Sequence, residues 1–217
     1  MTHTRRVIEL HPVLEILGPR DFDLWPVADP GTYAFLPLSG RLRTEEVGTA
    51  VMRVAECNDV DPADEDHPRR PADPLGGFLH GLLTMQDLFA PGGLRVTDTA
   101  TGVAFVPGCC NGLDERLDWF EVLDGDGWAG FGHGPSPLAE RVGDAVRLTV
   151  DVDRADSPVI ELPATDLRRL LAEAERDLAD FHRLATGWTT RYVPGHAPAV
   201  ADALARALGL PATTKRR

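Results

Sequence analysis

Apolar residues recur in two rhythms along this chain, and the change from one to the other divides it into strand-like and helix-like stretches. Near the amino end, RVIEL (6–10) and VLEIL (13–17) carry branched residues in partial alternation. YAFLPLSGRL (33–42) follows the turn-rich VADPGT, so two or three strands are expected. From Thr44 the period lengthens. Glu45 and Glu46 precede Val47, Val51 and Val54 at helical spacing, which predicts a helix capped by Thr44 with Cys57 at the edge of its stripe. The following stretch, CNDVDPADEDHPRRPADPLGG, is rich in Pro and Asp and has no apolar period, so a mobile loop is expected over about 58–76.

Strand patterns return in LRVTDTATGVAFV, where the turn residues Asp98 to Gly102 separate two short runs and predict a hairpin. LDERLDWFEVL (113–123) then reads as a helix with Leu113, Leu117 and Phe120 on one face and Val122 or Leu123 completing it. AVRLTVDVD alternates as a half-buried strand that SPVIEL can pair. From Thr165 or Asp166 a helix carries Leu167, Leu170, Leu171, Ala174, Leu178, Phe181 and Ala185 on one stripe, and Gly187 is read as its stop. Pro198 opens a last helix, with Val200, Ala203, Leu204, Ala207 and Leu208 facing inward and Gly209 at its C′ position. Repeats and strict βαβ alternation are absent. The expectation is α+β: a mostly antiparallel sheet with packed helices and two C-terminal helices over about 165–209, in one domain spanning 1–217.

Composition agrees with a folded protein. The 217 residues are 43% hydrophobic and 26% charged, which suits a chain with a real core. Acidic residues outnumber basic ones by 34 to 22, and a net charge of −12 repels phosphate backbones, so nucleic acid is an unfavourable partner. A basic protein is a favourable one, because complementary fields speed encounter. The only lysine, Lys215, lies in a terminal TKRR read as a solvated tail. Glu9, His11 and Glu15 interrupt the apolar run a signal peptide needs, and no stretch approaches the length of a membrane span. A cytoplasmic location is expected, where thiols stay reduced, and three cysteines make no disulfide framework.

Candidate chemistry gathers in one segment, VPGCCNGLDERLDWFEVLDGDGWAGFGHGPSP (106–137). Gly125, Gly127 and Gly130 match a dinucleotide-loop spacing, but a helix precedes them and Pro135 and Pro137 follow, which is the wrong setting for a phosphate cradle. Asp124 and Asp126 begin like a calcium loop, yet Trp128 and Pro135 occupy ligand positions, so local turn hydrogen bonds are the reading. Ser39 and Ser136 lack a nucleophile-elbow context. His11, His67, His182 and His196 share no metal-ligand spacing.

Cys109 and Cys110 are read first as small buried thiols flanking a tight turn, with no catalytic role, metal or cofactor. The alternative is a thiol- or zinc-dependent enzyme using Cys109, Cys110 and His133. In that case the helix starting near 113 would favour a thiolate, and a fourth ligand would come from His80, Cys57 or Asp118. Against zinc stands geometry: adjacent cysteines do not easily aim at one tetrahedral centre.

TGVAFVPGCCNGLDERLDWFEVLDG followed by GFGHGPSP resembles uncharacterised actinobacterial proteins in which a Pro-Gly-Cys-Cys turn, a Gly-Leu, a Trp helix and a Gly-His-x-Pro-Ser-Pro segment recur. The likeness covers about a sixth of the chain and brings no activity with it. The leading functional expectation is a non-enzymatic protein that binds a basic partner in the manner of an immunity or antitoxin protein. Its contact residues would be Asp114, Glu115, Asp118, Trp119 and Trp128, since aromatic anchors beside charge are common at interfaces. For Trp119, Trp128 and Trp188 core packing is nevertheless the commoner fate. The sequence does not indicate an oligomeric state.

Overall fold

The computed structural model describes residues 6–17, 21–29, 31, 33–60 and 68–211. His67, Lys215 and the central part of the loop expected over 58–76 lie outside the described residues. In chain order the elements are β1 (Ile8–Leu17), β2 (Tyr33–Pro37), α1 (Thr44–Cys57), α2 (Pro74–Thr84), β3 (Gly92–Asp98) and β4 (Ala104–Phe105). They continue with α3 (Trp119–Asp124), β5 (Trp128–Gly130), β6 (Leu138–Val142), β7 (Ala145–Thr149), β8 (Val159–Pro163), α4 (Ala164–Tyr192) and α5 (Ala197–Ala207). The strands form two antiparallel sheets, ordered β2-β1-β3-β4 and β5-β6-β7-β8, and the fold is α+β.

The chain divides into two compact units, one formed by Met1–Val13 with Gly92–Asp177 and the other by Leu14–Pro91 with Leu178–Arg217. The reading of one domain over 1–217 rested on the first half of the chain offering too few core positions to fold separately. Both changeovers fall inside regular elements, β1 and α4, where no linker composition can mark them. β1 also runs unbroken through Pro12, which joins the two runs read as separate strands. Pro12 has no N–H to give a ladder, and it stands beside the changeover at Val13.

In the first unit the register explains the alternation. Ala139 pairs Leu148, Leu148 pairs Ile160 and Val146 pairs Leu162, so one face of the β5–β8 sheet is apolar. These residues share a core with Leu167, Leu170, Leu171 and Ala174 of α4 and with Trp119, Val122 and Leu123 of α3. The opposite face carries the row Trp128, Glu140, Arg147 and Glu161. The expected hairpin forms: Val96 pairs Phe105, the Gly102 amide donates to the Asp98 carbonyl, and Gly102 takes a φ of 74° that suits only a glycine at low cost.

The expected helix over 113–123 is a 3-10 turn at Asp114–Asp118 followed by the short α3. The tighter winding turns Leu117 outward, where it is 53% exposed, and brings Trp119 inward to 1%.

The second unit is mainly helical. Trp25 meets Phe22, Phe78 and Trp188 edge to face, and its indole N–H donates to the Gly48 carbonyl at 2.9 Å. α1 begins at Thr44, but Arg43 is its cap residue, and the Glu46 carboxylate accepts from the Arg43 amide at 2.7 Å. α2 had no sequence forecast because Gly76, Gly77 and Gly81 weaken the helical pattern. Asp73 nevertheless caps it by accepting from the Gly76 amide, and Gly81 lets the Asn58 carbonyl approach its backbone closely. This places residues 74–76 of the expected loop in a helix.

Gly187 does not stop α4. The helix continues to Tyr192 because the next residues gain burial: Trp188 is 6% exposed and donates to the Thr44 carbonyl, and Thr189 is fully buried. A mid-helix glycine costs about 1 kcal/mol, less than burying a large aromatic side chain returns. The end of α5 matches expectation. Gly209 takes a φ of 58°, its amide donates to the Arg206 carbonyl and that of Leu210 to Ala205, the double bond of a Schellman cap.

Candidate functional site

The segment 106–137 belongs to the first unit, and its backbone makes the site. Two backbone segments pass each other closely at Gly108 and Gly132. The Gly108 amide donates to the Phe131 carbonyl, and Cys109 and His133 exchange two hydrogen bonds of 2.6 and 3.2 Å. A side chain on Gly108 would meet the Pro135 carbonyl oxygen and the His133 amide nitrogen, and one on Gly132 would meet the Cys109 carbonyl oxygen. Only glycine permits this approach.

Residues paired in this way present their side chains on one face, which sets Cys109 beside His133. Cys110 would normally point to the opposite face, but its φ of 66° breaks the alternation. Its sulfur consequently lies 3.3 Å from that of Cys109. Gly132, at φ 91°, separates the buried Phe131 from the exposed His133 in the same manner. Below the turn, the buried Asn111 amide donates to the Gly92 and Gly112 carbonyls and the Gly92 amide returns a bond to the Asn111 carbonyl.

One ligand atom from each of Cys109, Cys110 and His133 lies within 4.8 Å of the others. In a tetrahedral zinc site, bonds of about 2.3 Å to sulfur and 2.0 Å to nitrogen separate the ligands by about 3.5–3.8 Å. The 3.3 Å between the two sulfurs is near that spacing. All three residues are exposed, which corrects the reading of the cysteines as buried packing. The left-handed backbone at Cys110 brings the two adjacent sulfurs to the same side of the turn. Among the described residues, His80, Cys57 and Asp118 do not join the group. The helix-dipole argument lapses with the helix, since a 3-10 turn stands where its first turns were expected.

The proposed contact residues divide. Asp114, Asp118 and Trp128 are exposed, Trp128 at 60%, and Glu115 is half-buried. Burial, together with the neighbouring Asp114 and Asp118 charges, pushes the Glu115 carboxyl above its ordinary value. Trp119 is not at the surface; it stacks on Phe131 with centroids 4.5 Å apart. Nothing in the local pattern separates the two tryptophans, because the 3-10 turn sets the phase.

Asp124 does not serve its own turn. It accepts two hydrogen bonds from Arg168 on α4, and these hold its carboxyl below the usual carboxylate range. The glycine-rich stretch 125–130 leads from α3 into the edge strand β5, the arrangement expected of a turn. Ser136 donates to Asp153 at 2.6 Å, and His182 makes a 2.9 Å hydrogen bond with the Ala201 carbonyl. A 580 Å³ cavity, also in the first unit, is lined by Arg6, Ile8, Glu161, Asp166 and Arg169 among others, and by none of the thiol–imidazole group.

Among the described residues, no helix is long and apolar enough to cross a membrane. Compared with protein-family models, with curated proteins and with solved structures, the chain matches none, so its own residues carry the functional argument.

Proposed function

We propose that this protein binds a thiophilic closed-shell metal ion, zinc(II) or copper(I), through Cys109, Cys110 and His133 and exchanges it with other molecules. The observation that carries the reading is the convergence of two thiols and an imidazole within 4.8 Å on an exposed surface. Thiolate and imidazole select this class of ion over magnesium or calcium. Structural zinc sites are closed by four protein ligands, whereas this group offers three among the described residues and is exposed, an arrangement suited to uptake and release. In the reducing cytoplasm expected from the sequence, both sulfurs would be held as thiols.

The test is titration of the full chain with zinc(II) against a chromophoric chelator, and with cobalt(II) as a spectroscopic probe. One equivalent is expected to bind with sulfur-to-cobalt charge transfer. Cys109→Ser and Cys110→Ser each weaken affinity by at least about a hundredfold, and His133→Ala by about ten- to a hundredfold. Equal binding by a variant lacking all three groups would end the reading.

A second reading is favoured by the 60% exposure of Trp128 on the edge strand β5. In it, Trp128 with Asp114 and Asp118 contacts a basic protein, the expectation drawn above from charge. Trp128→Ala and the reversals Asp114→Arg and Asp118→Arg are expected to abolish co-purification with a stoichiometric basic partner from native lysate. Recovery of that partner by the triple variant would refute the assignment.

A further inference from the structure

Resting on the metal reading, we propose that Cys109 and Cys110 are also an oxidative modification site, at which a low-molecular-weight disulfide converts them to a vicinal disulfide and thereby releases the ion. The sulfurs already touch at 3.3 Å, and both residues are exposed to a reagent in solution. The turn that brings them together is formed in advance by the Cys109–His133 pairing and the Asn111 anchor, so ring closure needs little further ordering.

The chemistry balances. One thiolate attacks a sulfur of the reagent, breaking its S–S bond and expelling the first thiolate leaving group. The neighbouring thiolate then attacks the resulting mixed disulfide, forms the Cys109–Cys110 bond and expels the second. The protein loses two electrons and two protons, and the reagent leaves as two thiols.

The product is reversible for a geometric reason. Adjacent Cα atoms across a trans peptide lie about 3.8 Å apart, whereas unstrained disulfides span about 4.4–6.8 Å. The strain makes this bond readily reducible, so a thiol pool reverses it. Oxidation occupies both sulfur ligands and leaves His133 alone, which is too few for retention. Cys57 serves as an internal reference: it is only half-exposed, and burial pushes its thiol up, which slows its reaction.

The experiment exposes the full metal-free chain to graded ratios of oxidised to reduced glutathione, read by intact mass and peptide mapping, and repeats it on zinc-loaded protein with a zinc indicator. Wild type is expected to lose two hydrogens at the Cys109–Cys110 peptide at least about tenfold faster than Cys57 is modified, and excess reduced glutathione reverses the change. Cys110→Ser stops at a glutathione adduct. The zinc-loaded chain releases its one equivalent as the disulfide forms.

Persistent adducts on wild type, or modification of Cys57 at the same rate, would overturn the modification site. A disulfide that forms while zinc stays bound would overturn the release. If the metal reading alone is wrong, the titration shows no binding while the mass change persists, so the two failures are distinct.

Discussion

Trp119→Ala is expected to lower the free energy of unfolding by about 3–5 kcal/mol, measured by urea denaturation. Trp119 is 1% exposed, stacks on Phe131 and meets Phe105 edge to face, so truncation opens a cavity in the middle of the first unit's core. Phe131 lies two residues before His133, so under the proposed metal function zinc affinity is expected to fall together with stability. Trp119→Phe separates ring from polar atom. Its ring keeps the stack, and the replacement deletes an indole N–H that is buried with no hydrogen-bond partner among the described residues. That change is expected to cost less than about 1.5 kcal/mol. A Trp119→Ala loss below about 1 kcal/mol would show that this core reading is wrong.

Glu175→Ala is expected to destabilise by about 2–3 kcal/mol, and more than Arg116→Met does. The Arg116 guanidinium, whose side chain is 2% exposed, donates to Glu175 at 2.7 and 3.2 Å and to the Leu113 carbonyl at 2.9 Å. Removing the carboxylate takes from a buried guanidinium the group that accepts from two of its nitrogens, so its charge is held less well. Removing the guanidinium leaves Glu175, 36% exposed, able to take up water instead. The pair ties the 3-10 turn to α4, so both variants should also loosen the segment leading away from Cys110. Equal losses for the two variants in parallel urea titrations would contradict the proposed asymmetry of burial.

Much of the scaffold was legible from local rhythm. The stripe from Leu167 to Ala185 and the alternation of AVRLTVDVD each record which side of an element meets apolar neighbours, information a helix or strand carries in its own period. The Asp98–Gly102 turn and the Gly209 cap were legible because their chemistry is confined to a few adjacent residues. Misreadings arose where packing outweighed propensity. α2 forms despite three glycines because Asp73 caps it and the Asn58 carbonyl needs the space at Gly81, and α4 crosses Gly187 because Trp188 and Thr189 are buried beyond it.

Taken alone, the sequence determined the α+β class, the positions of most elements and the presence of two residue types, cysteine and histidine, that can hold a soft metal ion. Only the tertiary structure decided that Cys109, Cys110 and His133 converge, that Trp119 turns inward while Trp128 faces solvent, and that the compact units change over within β1 and α4. The reason is physical. Side-chain periodicity encodes burial along one element, but the convergence depends on two distant backbones passing closely at Gly108 and Gly132 and on a left-handed φ at Cys110. The close passage is a pairing between turns well apart in the chain, which no element's own period records.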